Sequence, residues 1–261
     1  MKCKICNNKS EFLFSAVVLN KHNVSYYKCS YCGFIQTDEP FWLDEAYSEA
    51  ITKLDLGYAT RNILSRDVVF SIINNLFNKK SSFLDYGGGY GLFVRLMRDC
   101  GYDFYRYDLY CENLFSQHFD AEDSANDTFE LLTAFEVFEH LSKPLEEIDN
   151  MLKYSDSIFF TTELYPTSVK KVEDWWYFSP ETGQHISFFS KKTLEVIAEI
   201  KQLNIYTDNK SYHLLTKKKC SKLRFLYLIY RKKIANKLLG RYFENKKSLL
   251  KQDYDKIKNM K

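Results

Sequence analysis

The sequence has little glycine and proline and no long apolar segment. Nine of its 261 residues are glycine and four are proline, while 45% are hydrophobic, which excludes collagen-like and disordered chains. The purest apolar run, Phe225–Tyr230, has six residues, whereas a membrane-spanning helix needs about 20. The N-terminal MKCKICNNKS lacks the apolar stretch of a signal peptide. We therefore expect a soluble, cytoplasmic protein with one large or two small domains.

A near-neutral total charge conceals a strong asymmetry. The formal net charge is +3, but residues 217–261 contain 16 Lys and Arg against three acids, which gives +13. The preceding 216 residues therefore carry −10. This division predicts an acidic body followed by a separate basic tail.

Four cysteines near the N-terminus have the spacing of a zinc site. Cys3, Cys6, Cys29 and Cys32 form two C-x2-C pairs separated by 22 residues, and four thiolates at one tetrahedral point suit zinc. The segments FLFSAVVL and VSYYKC between the pairs predict two paired strands. We interpret residues 1–40 as a zinc ribbon whose metal is structural, because four protein ligands leave no open coordination position.

A redox role for these C-x2-C pairs is the weaker alternative. A thioredoxin-like motif opens a helix after a strand and needs no second cysteine pair. The other cysteines, Cys100, Cys111 and Cys220, are unpaired in this interpretation, which fits a reducing compartment.

Residues 41–78 are predicted to form one or two helices that link the ribbon to the central domain. Apolar residues recur at helical offsets from Ile63 to Leu76. Four polar side chains lie in this stretch: Tyr47, Asp55, Tyr58 and Arg61. Either they cap helices and face solvent, or they line a lid over a site, because they precede a glycine-rich loop.

A nucleotide-binding pattern begins at Ser82–Tyr86. This short apolar strand leads into GGGYG and then into LFVRLMRDCG, an amphipathic helix. Glycines at 87, 89 and 91 let the backbone approach a ligand and direct N–H groups towards it. A dinucleotide fingerprint would need glycine where Leu92 stands, and no Gly-Lys-Ser/Thr sequence indicates a P-loop.

Polar residues follow three successive predicted strands. Asp85 ends the first strand, Asp108 ends the second, and Glu136, Glu139 and His140 follow the third. Helical and strand segments continue to alternate beyond this point. The alternation predicts an α/β domain at 79–216, with an open parallel sheet covered by helices on both faces. Its ligand should lie at the carboxyl ends of the strands.

The glycine loop DYGGGYG, Asp108 and AFEVFEHL resemble class I S-adenosylmethionine-dependent methyltransferases. The cysteine pairs and the segments CGFIQTDEPFWLDEAYSEAI, EDWWYF and GQHISFFS narrow this resemblance to the zinc-ribbon methyltransferases of bacterial sugar and surface-polysaccharide pathways, which are related to sugar C-methyltransferases. The resemblance extends from Cys3 to about Lys217. It implies a Rossmann-like sheet, S-adenosylmethionine as cofactor, and zinc.

The resemblance also implies roles for individual residues. The methionine part of the cofactor would be held by Asp85, Gly87, Gly89 and Gly91. Asp108 would bind the ribose hydroxyls, and Glu136 would flank the sulfonium. His140 corresponds to a histidine that serves as base in related enzymes.

Methyl transfer to a neutral sugar hydroxyl needs a base, and a histidine with a free pKa of about 6.5 is suited to it. His140 and His185 are the two candidates, with Glu139 as a partner for His140. Each histidine could equally be a hydrogen-bonded structural residue, and the acids could be solvated turn residues. Residues Trp175–Phe178 would offer an aromatic wall for a sugar or the cofactor, or belong to the core.

O-methylation of a sugar, sugar nucleotide or related small molecule is the expected reaction. Sugar C-methyltransferases contain a long additional C-terminal domain into which this sequence does not continue. One alternative is methylation of a phosphoramidate or similar small group on a polysaccharide precursor. Another is a non-catalytic binding module, against which the intact DYGGGYG, Asp108 and His140 argue. A nucleic-acid partner is not expected, because the body is acidic and no recognised binding module is present.

Residues 217–261 predict a basic amphipathic helical tail. An apolar stripe recurs every four residues at Leu226, Tyr230, Ile234, Leu238 and Tyr242. We expect this stripe to pack on the domain while the basic side chains remain solvated. Docking to a membrane surface or a partner enzyme through the basic face is the functional alternative.

Overall fold

Two β-sheets and the helices around them make up the described part of the chain. The computed structural model describes residues 1–47 and 56–238, with side chains as far as Arg231, so Asp55 and the end of the basic tail lie outside the described residues. The strands are β1 (Ser10–Val18), β2 (His22–Cys29), β3 (Ile35–Thr37), β4 (Ser82–Tyr86), β5 (Asp103–Tyr107), β6 (Leu132–Phe135), β7 (Ser157–Thr161), β8 (Ser187–Phe188), β9 (Asn204–Thr207) and β10 (Tyr212–Thr216). The α-helices are α1 (Leu43–Ala46), α2 (Tyr58–Leu76), α3 (Leu92–Asp99), α4 (Pro144–Tyr154), α5 (Lys191–Lys201) and α6 (Lys222–Leu238).

The central sheet confirms the predicted α/β fold. Its strand order is β5-β4-β6-β7-β10-β9, and β4 to β7 run parallel. Every residue of β4 and β7 is buried, because helices cover both faces of the sheet. Successive residues serve opposite faces. Phe83 packs with α2, α3 and α6, whereas Leu84 packs with α4 and α5.

One edge of this sheet is antiparallel, so the expectation of a wholly parallel sheet is wrong there. β10 pairs antiparallel with both β7 and β9. The reversal begins at Asp208, whose Oδ1 accepts the N–H groups of Lys210, Ser211 and Tyr212. This tight turn lets β10 run back beside β9 without the crossover helix that a parallel strand would need.

The N-terminal sheet is not formed by the first forty residues alone. Its order is β1-β2-β3-β8, and β1 and β2 are the predicted antiparallel pair. β8 comes from much later in the chain and pairs with β3. The ring centroid of Phe189 lies 5.2 Å from that of Phe34 and 5.8 Å from that of Phe138. The cysteine region and the central domain therefore share one hydrophobic core.

Helix α6 is the described part of the basic tail, and it packs on the domain as expected. Its buried side chains are Phe225, Leu228 and Ile229, within the cluster formed by α2 and α3. Of the stripe predicted from Leu226, Leu226 and Tyr230 are half-buried, and Tyr230 packs against the same cluster. The side chains of Ile234, Leu238 and Tyr242 lie outside the described residues. A strict four-residue repeat drifts around a helix of 3.6 residues per turn. Among the described residues, no helix combines the length and apolar character that crossing a membrane requires.

Phe189 is predicted to be a major contributor to the shared core. Because its side chain is fully buried, Phe189→Ala should lower the free energy of unfolding by about 3–5 kcal/mol. Phe12→Ala is the matched control, since Phe12 is 62% exposed on β1, and it should cost less than about 1 kcal/mol. Urea unfolding measures both values. Equal losses in the two variants would contradict a core shared through Phe189.

Candidate active site

The loop after β4 holds three glycines in left-handed backbone conformations. Gly87, Gly89 and Gly91 have φ values of +68°, +54° and +83°, which glycine adopts without steric cost. A Cβ on Gly87 would lie 2.7 Å from Cγ2 of Val137 in the loop after β6. A Cβ on Gly91 would collide with the hydroxyl of Ser116. Glycine is therefore required at these positions by conformation, and at two of them by space as well.

Asp108 lies directly after β5 and binds the glycine loop. Its Oδ2 accepts the N–H of Gly89 at 2.8 Å, and its Oδ1 accepts those of Tyr110 and Cys111, both at 2.8 Å. Two donors occupy both lone pairs of Oδ1, whereas Oδ2 retains capacity for one further donor. Because β4 and β5 are adjacent and parallel, the two predicted cofactor-binding elements meet at one edge of the sheet.

Arg106 is a member of this loop structure that the sequence analysis missed. The residue is buried in β5, and its Nε donates to Oδ1 of Asp120 at 2.6 Å. Its Nη1 donates to the carbonyls of Gly89 at 2.5 Å and Cys111 at 2.9 Å. The guanidinium therefore ties the glycine loop to the segment after Asp108. A charged residue at a buried strand position was the available signal.

Asp85 provides a buried carboxyl beneath the glycine loop. It is 3% exposed, and its Oδ1 accepts the hydroxyl of Thr133 at 2.6 Å. Burial raises the pKa of Asp85 to about 7, although the Thr133 hydrogen bond acts in the opposite direction. Its Oδ2 faces the loop, 2.9 Å from where a Cβ on Gly88 would lie. An approaching cation would favour the ionised form of this carboxyl.

Glu136, directly after β6, has a backbone conformation that is unusual for a residue with a side chain. Its φ is +54°. The Thr161 hydroxyl accepts the Glu136 N–H at 3.0 Å and donates to its Oε1 at 2.8 Å. Burial, and then the charge of Glu139, raises the pKa of Glu136 to about 7. The strand order reverses between β4 and β6, and α/β sheets bind ligands at such a switch point.

The three predicted catalytic side chains Glu139, His140 and His185 converge near this switch point. Their potential ligand atoms all lie within 4.8 Å of one another. Nε2 of His140 is 3.9 Å from Oε1 of Glu139, and the two imidazole centroids are 4.9 Å apart. The Ile186 N–H donates to the Glu139 carbonyl at 2.9 Å. This bond joins the segment that contains His185 to the loop that contains Glu139 and His140.

Backbone carbonyls set the tautomer of both histidines. Nδ1 of His140 donates to the carbonyl of Gln184 at 3.0 Å, and Nδ1 of His185 donates to that of Tyr177 at 2.6 Å. A carbonyl can only accept, so each Nδ1 carries the proton and each Nε2 keeps a lone pair. Burial lowers the pKa of His140 to about 4 and that of His185 to about 3. Both rings are therefore neutral at pH 7, with one nitrogen in a structural bond and the other free.

Glu139 is fully buried, so its interpretation as a solvated turn residue is wrong. Burial raises the pKa of its carboxyl to about 7. Within the described part of the chain, neither carboxylate oxygen has a hydrogen bond of acceptable geometry. The neighbouring hydroxyls of Thr162 and Tyr177 are likewise unsatisfied. This group of unsatisfied oxygens sets the site apart from an ordinary polar core.

Three residues of the predicted lid border the site, and one of them, Arg61, acts by its charge on Glu136 and Glu139. The Tyr47 hydroxyl lies 2.9 Å from Nδ1 of His140, and its ring stacks on that of Tyr110 at 6.1 Å. Tyr58 faces the glycine loop, because a Cβ on Gly89 would lie 3.6 Å from its hydroxyl. Tyr47 therefore links the histidines to the segment that follows Asp108.

The predicted aromatic wall is mostly core. Trp175, Tyr177 and Phe178 are buried, whereas Trp176 is 76% exposed. The two adjacent tryptophans point in different directions, as expected, and Trp176 alone of the four presents its ring to solvent.

The N-terminal cysteines converge on a separate point. Sγ of Cys3 lies 3.6 Å from that of Cys32, and Sγ of Cys6 lies 3.5 Å from that of Cys29. The N–H of Ile5 donates to Sγ of Cys3 at 3.4 Å, and that of Cys32 to Sγ of Cys29 at 3.5 Å. Four converging sulfurs with backbone donors fit a closed tetrathiolate zinc site.

Comparison with known proteins identifies the central domain. Residues 58–207, more than half of the chain, match the family described as "Methyltransferase domain". No curated protein matches the chain significantly. Among solved structures, the plantazolicin methyltransferase BpumL in complex with SAH is similar at a TM-score of 0.49 and 16% identity, over 78% of this chain and 91% of that one. An O-methyltransferase family protein from Burkholderia thailandensis is similar at a TM-score of 0.46 and 7% identity, over 69% and 64%.

Asp85 is predicted to make stability depend on pH. A carboxyl whose folded pKa is raised to about 7 contributes stability that is present below its unfolded pKa and is lost as pH rises through the folded pKa. Between pH 5 and pH 8, the free energy of unfolding of the wild type should therefore fall by on the order of 2–3 kcal/mol more than that of Asp85→Asn. Urea unfolding of both cofactor-free proteins at the two pH values measures this difference. If the free energies of unfolding of the two proteins change equally between these pH values, the pKa of Asp85 is not raised in the folded protein.

Proposed function

The chain belongs to the methyltransferase-domain family and is an S-adenosylmethionine-dependent methyltransferase; from that premise we propose that it methylates a hydroxyl of a sugar or sugar-linked small molecule. The observation that carries the proposal is the meeting of two sets of residues. The glycine loop and Asp108 form one side of the switch point. The neutral Nε2 atoms of His140 and His185 lie on the other side, and Tyr47 and Tyr110 connect the two.

The residues at the glycine loop fit the proposed cofactor. Asp85 would supply a buried carboxyl for the methionine ammonium, and the glycines at 87, 89 and 91 would let the cofactor approach the backbone closely. Asp108 remains able to accept a ribose hydroxyl through the free lone pair of Oδ2. When bound, S-adenosylmethionine supplies a methyl group already activated by a sulfonium.

The proposed task of His140 and His185 is to remove a proton from the acceptor. The acceptor oxygen forms a bond to the methyl carbon while the carbon–sulfur bond breaks, and the hydroxyl proton must leave. The free Nε2 of His140 or His185 is positioned to take it, because both rings are neutral and Nδ1 is already bound. Glu139, with Oε1 3.9 Å from Nε2 of His140, would stabilise the resulting imidazolium.

The proposal that the acceptor is a sugar is supported by residues at the rim of the site. The segments EDWWYF and GQHISFFS have the character of the sugar-pathway relatives noted above, and they place Trp176 and His185 on the same stretch of chain. The exposed ring of Trp176 offers a flat apolar surface. Ligand-binding sites combine such surfaces with a few polar protein groups that orient the ligand.

The proposal also includes a structural zinc ion, bound by Cys3, Cys6, Cys29 and Cys32. Its four sulfur ligands would close the coordination sphere and add stability to the ribbon. β3 extends from this region and pairs with β8, which begins two residues after His185. We therefore assign the ribbon a positioning role for the histidine side of the site.

Binding of S-adenosylmethionine to Asp108 variants tests the proposed function. Hydrogen bonds to a charged group contribute about 1.5–3 kcal/mol, so Asp108→Asn should weaken cofactor binding by about ten-fold or more. Isothermal titration calorimetry gives the affinity. Asp103→Asn is the matched control, since Asp103 begins β5, the strand that Asp108 follows, and its exposed carboxylate pairs with Arg98. This variant should bind as the wild type does. Unchanged affinity in Asp108→Asn would refute the ribose role.

A further inference from the structure

Glu139 presents a problem that the proton-transfer proposal leaves unsolved. Its side chain is 0% exposed, and within the described residues neither Oε1 nor Oε2 has a hydrogen-bond partner. A buried carboxylate without a well-formed hydrogen bond is costly, and proteins usually compensate it with a counter-charge or a metal ion. The positive charge of Arg61 acts on Glu139, but burial outweighs it and the pKa of the carboxyl stays raised. The side chains of His140 and His185 both approach the carboxylate, and burial keeps both rings neutral.

The free atoms of these three residues form a preformed set of ligands. One ring nitrogen of each histidine and a carboxylate oxygen of Glu139 all lie within 4.8 Å of one another, and Nε2 of His140 is 3.9 Å from Oε1 of Glu139. The Nδ1–H to carbonyl bonds of His140 and His185 are the outer-shell arrangement that orients metal-binding histidines. The hydroxyls of Thr162 and Tyr177 lie beside the carboxylate, where they would orient it as a ligand.

We propose that Glu139, His140 and His185 bind a divalent cation. Two imidazoles and one carboxylate suit Zn²⁺, Mn²⁺ or Fe²⁺, and three protein ligands leave coordination positions open. This distinguishes the site from the cysteine cluster, whose four thiolates fill a tetrahedral sphere. The imidazole of His140 is 23% exposed, so the site is open to solvent at His140.

The role of this cation rests on the proposed function. An acceptor hydroxyl bound to it becomes more acidic and loses its proton to water. The oxygen then forms its bond to the methyl carbon as the carbon–sulfur bond breaks, which leaves S-adenosylhomocysteine. In this account the Nε2 atoms hold the cation instead of removing the proton directly.

Manganese binding tests the site independently of methyl transfer. Mn²⁺ prefers oxygen and nitrogen ligands over thiolates, so it will not replace zinc at the cysteines. Titration of the full-length protein, with free Mn²⁺ followed by electron paramagnetic resonance, should show one Mn²⁺ bound per chain. Glu139→Gln and His185→Ala should each weaken this binding by at least about ten-fold. The zinc content at the cysteines and the thermal unfolding of each variant show whether it has folded.

His118→Asn is the control, because His118 is an exposed histidine away from the cluster. It should bind Mn²⁺ as the wild type does. If zinc already fills the site, the wild type will contain two zinc ions per chain and Glu139→Gln one, which supports the same assignment. The proposal is overturned if the wild type holds one zinc and no Mn²⁺, or if the variants match its Mn²⁺ affinity. Failure of S-adenosylmethionine to bind while Mn²⁺ still binds would instead refute the proposed function alone.

Discussion

The contact between the loop after β4 and the loop after β6 is the constraint on which the site depends. Gly87 leaves no room for a side chain beside Val137, so the two loops approach more closely than residues with side chains would allow. Glu136 precedes Val137 and adopts a left-handed conformation. Glu139 follows three residues after Glu136 and His140 comes next, so the same loop contains two of the three predicted catalytic residues. One tight packing contact, between Gly87 and Val137, therefore connects the residues proposed to bind the cofactor with those proposed to act on the acceptor.

A second dependence joins the cysteine region to the chemistry. β3 pairs with β8, the Thr37 N–H donates to the carbonyl of Ile186 at 3.3 Å, and the Ile186 N–H donates to that of Glu139. His185 is thereby held against Glu139 by a sheet whose other strands belong to the ribbon. Stability of the cysteine site and alignment of His185 are therefore linked through backbone hydrogen bonds.

Much of this arrangement could be predicted from local patterns. The glycine loop, Asp108 and the cysteine pairs follow spacing rules that depend on a few neighbouring residues, and β4 to β7 are short runs with little ambiguity. The sequence could not reveal the antiparallel edge or the pairing of β8 with β3, because those depend on contacts between distant segments. Arg106 was missed because its partners Asp120, Gly89 and Cys111 are brought together only by folding. The buried state of Glu139 was likewise a tertiary property that no local pattern records.

A crystal structure with S-adenosylhomocysteine tests the central claim most directly, because it places the sulfur that would have carried the methyl group. The account predicts that a ribose hydroxyl lies on Oδ2 of Asp108 and that the sulfur lies between the glycine loop and Glu136. The open face of the sulfur would then point towards Glu139, His140 and His185. A sulfur whose open face points away from these three residues would contradict the coupling of cofactor and acceptor sides.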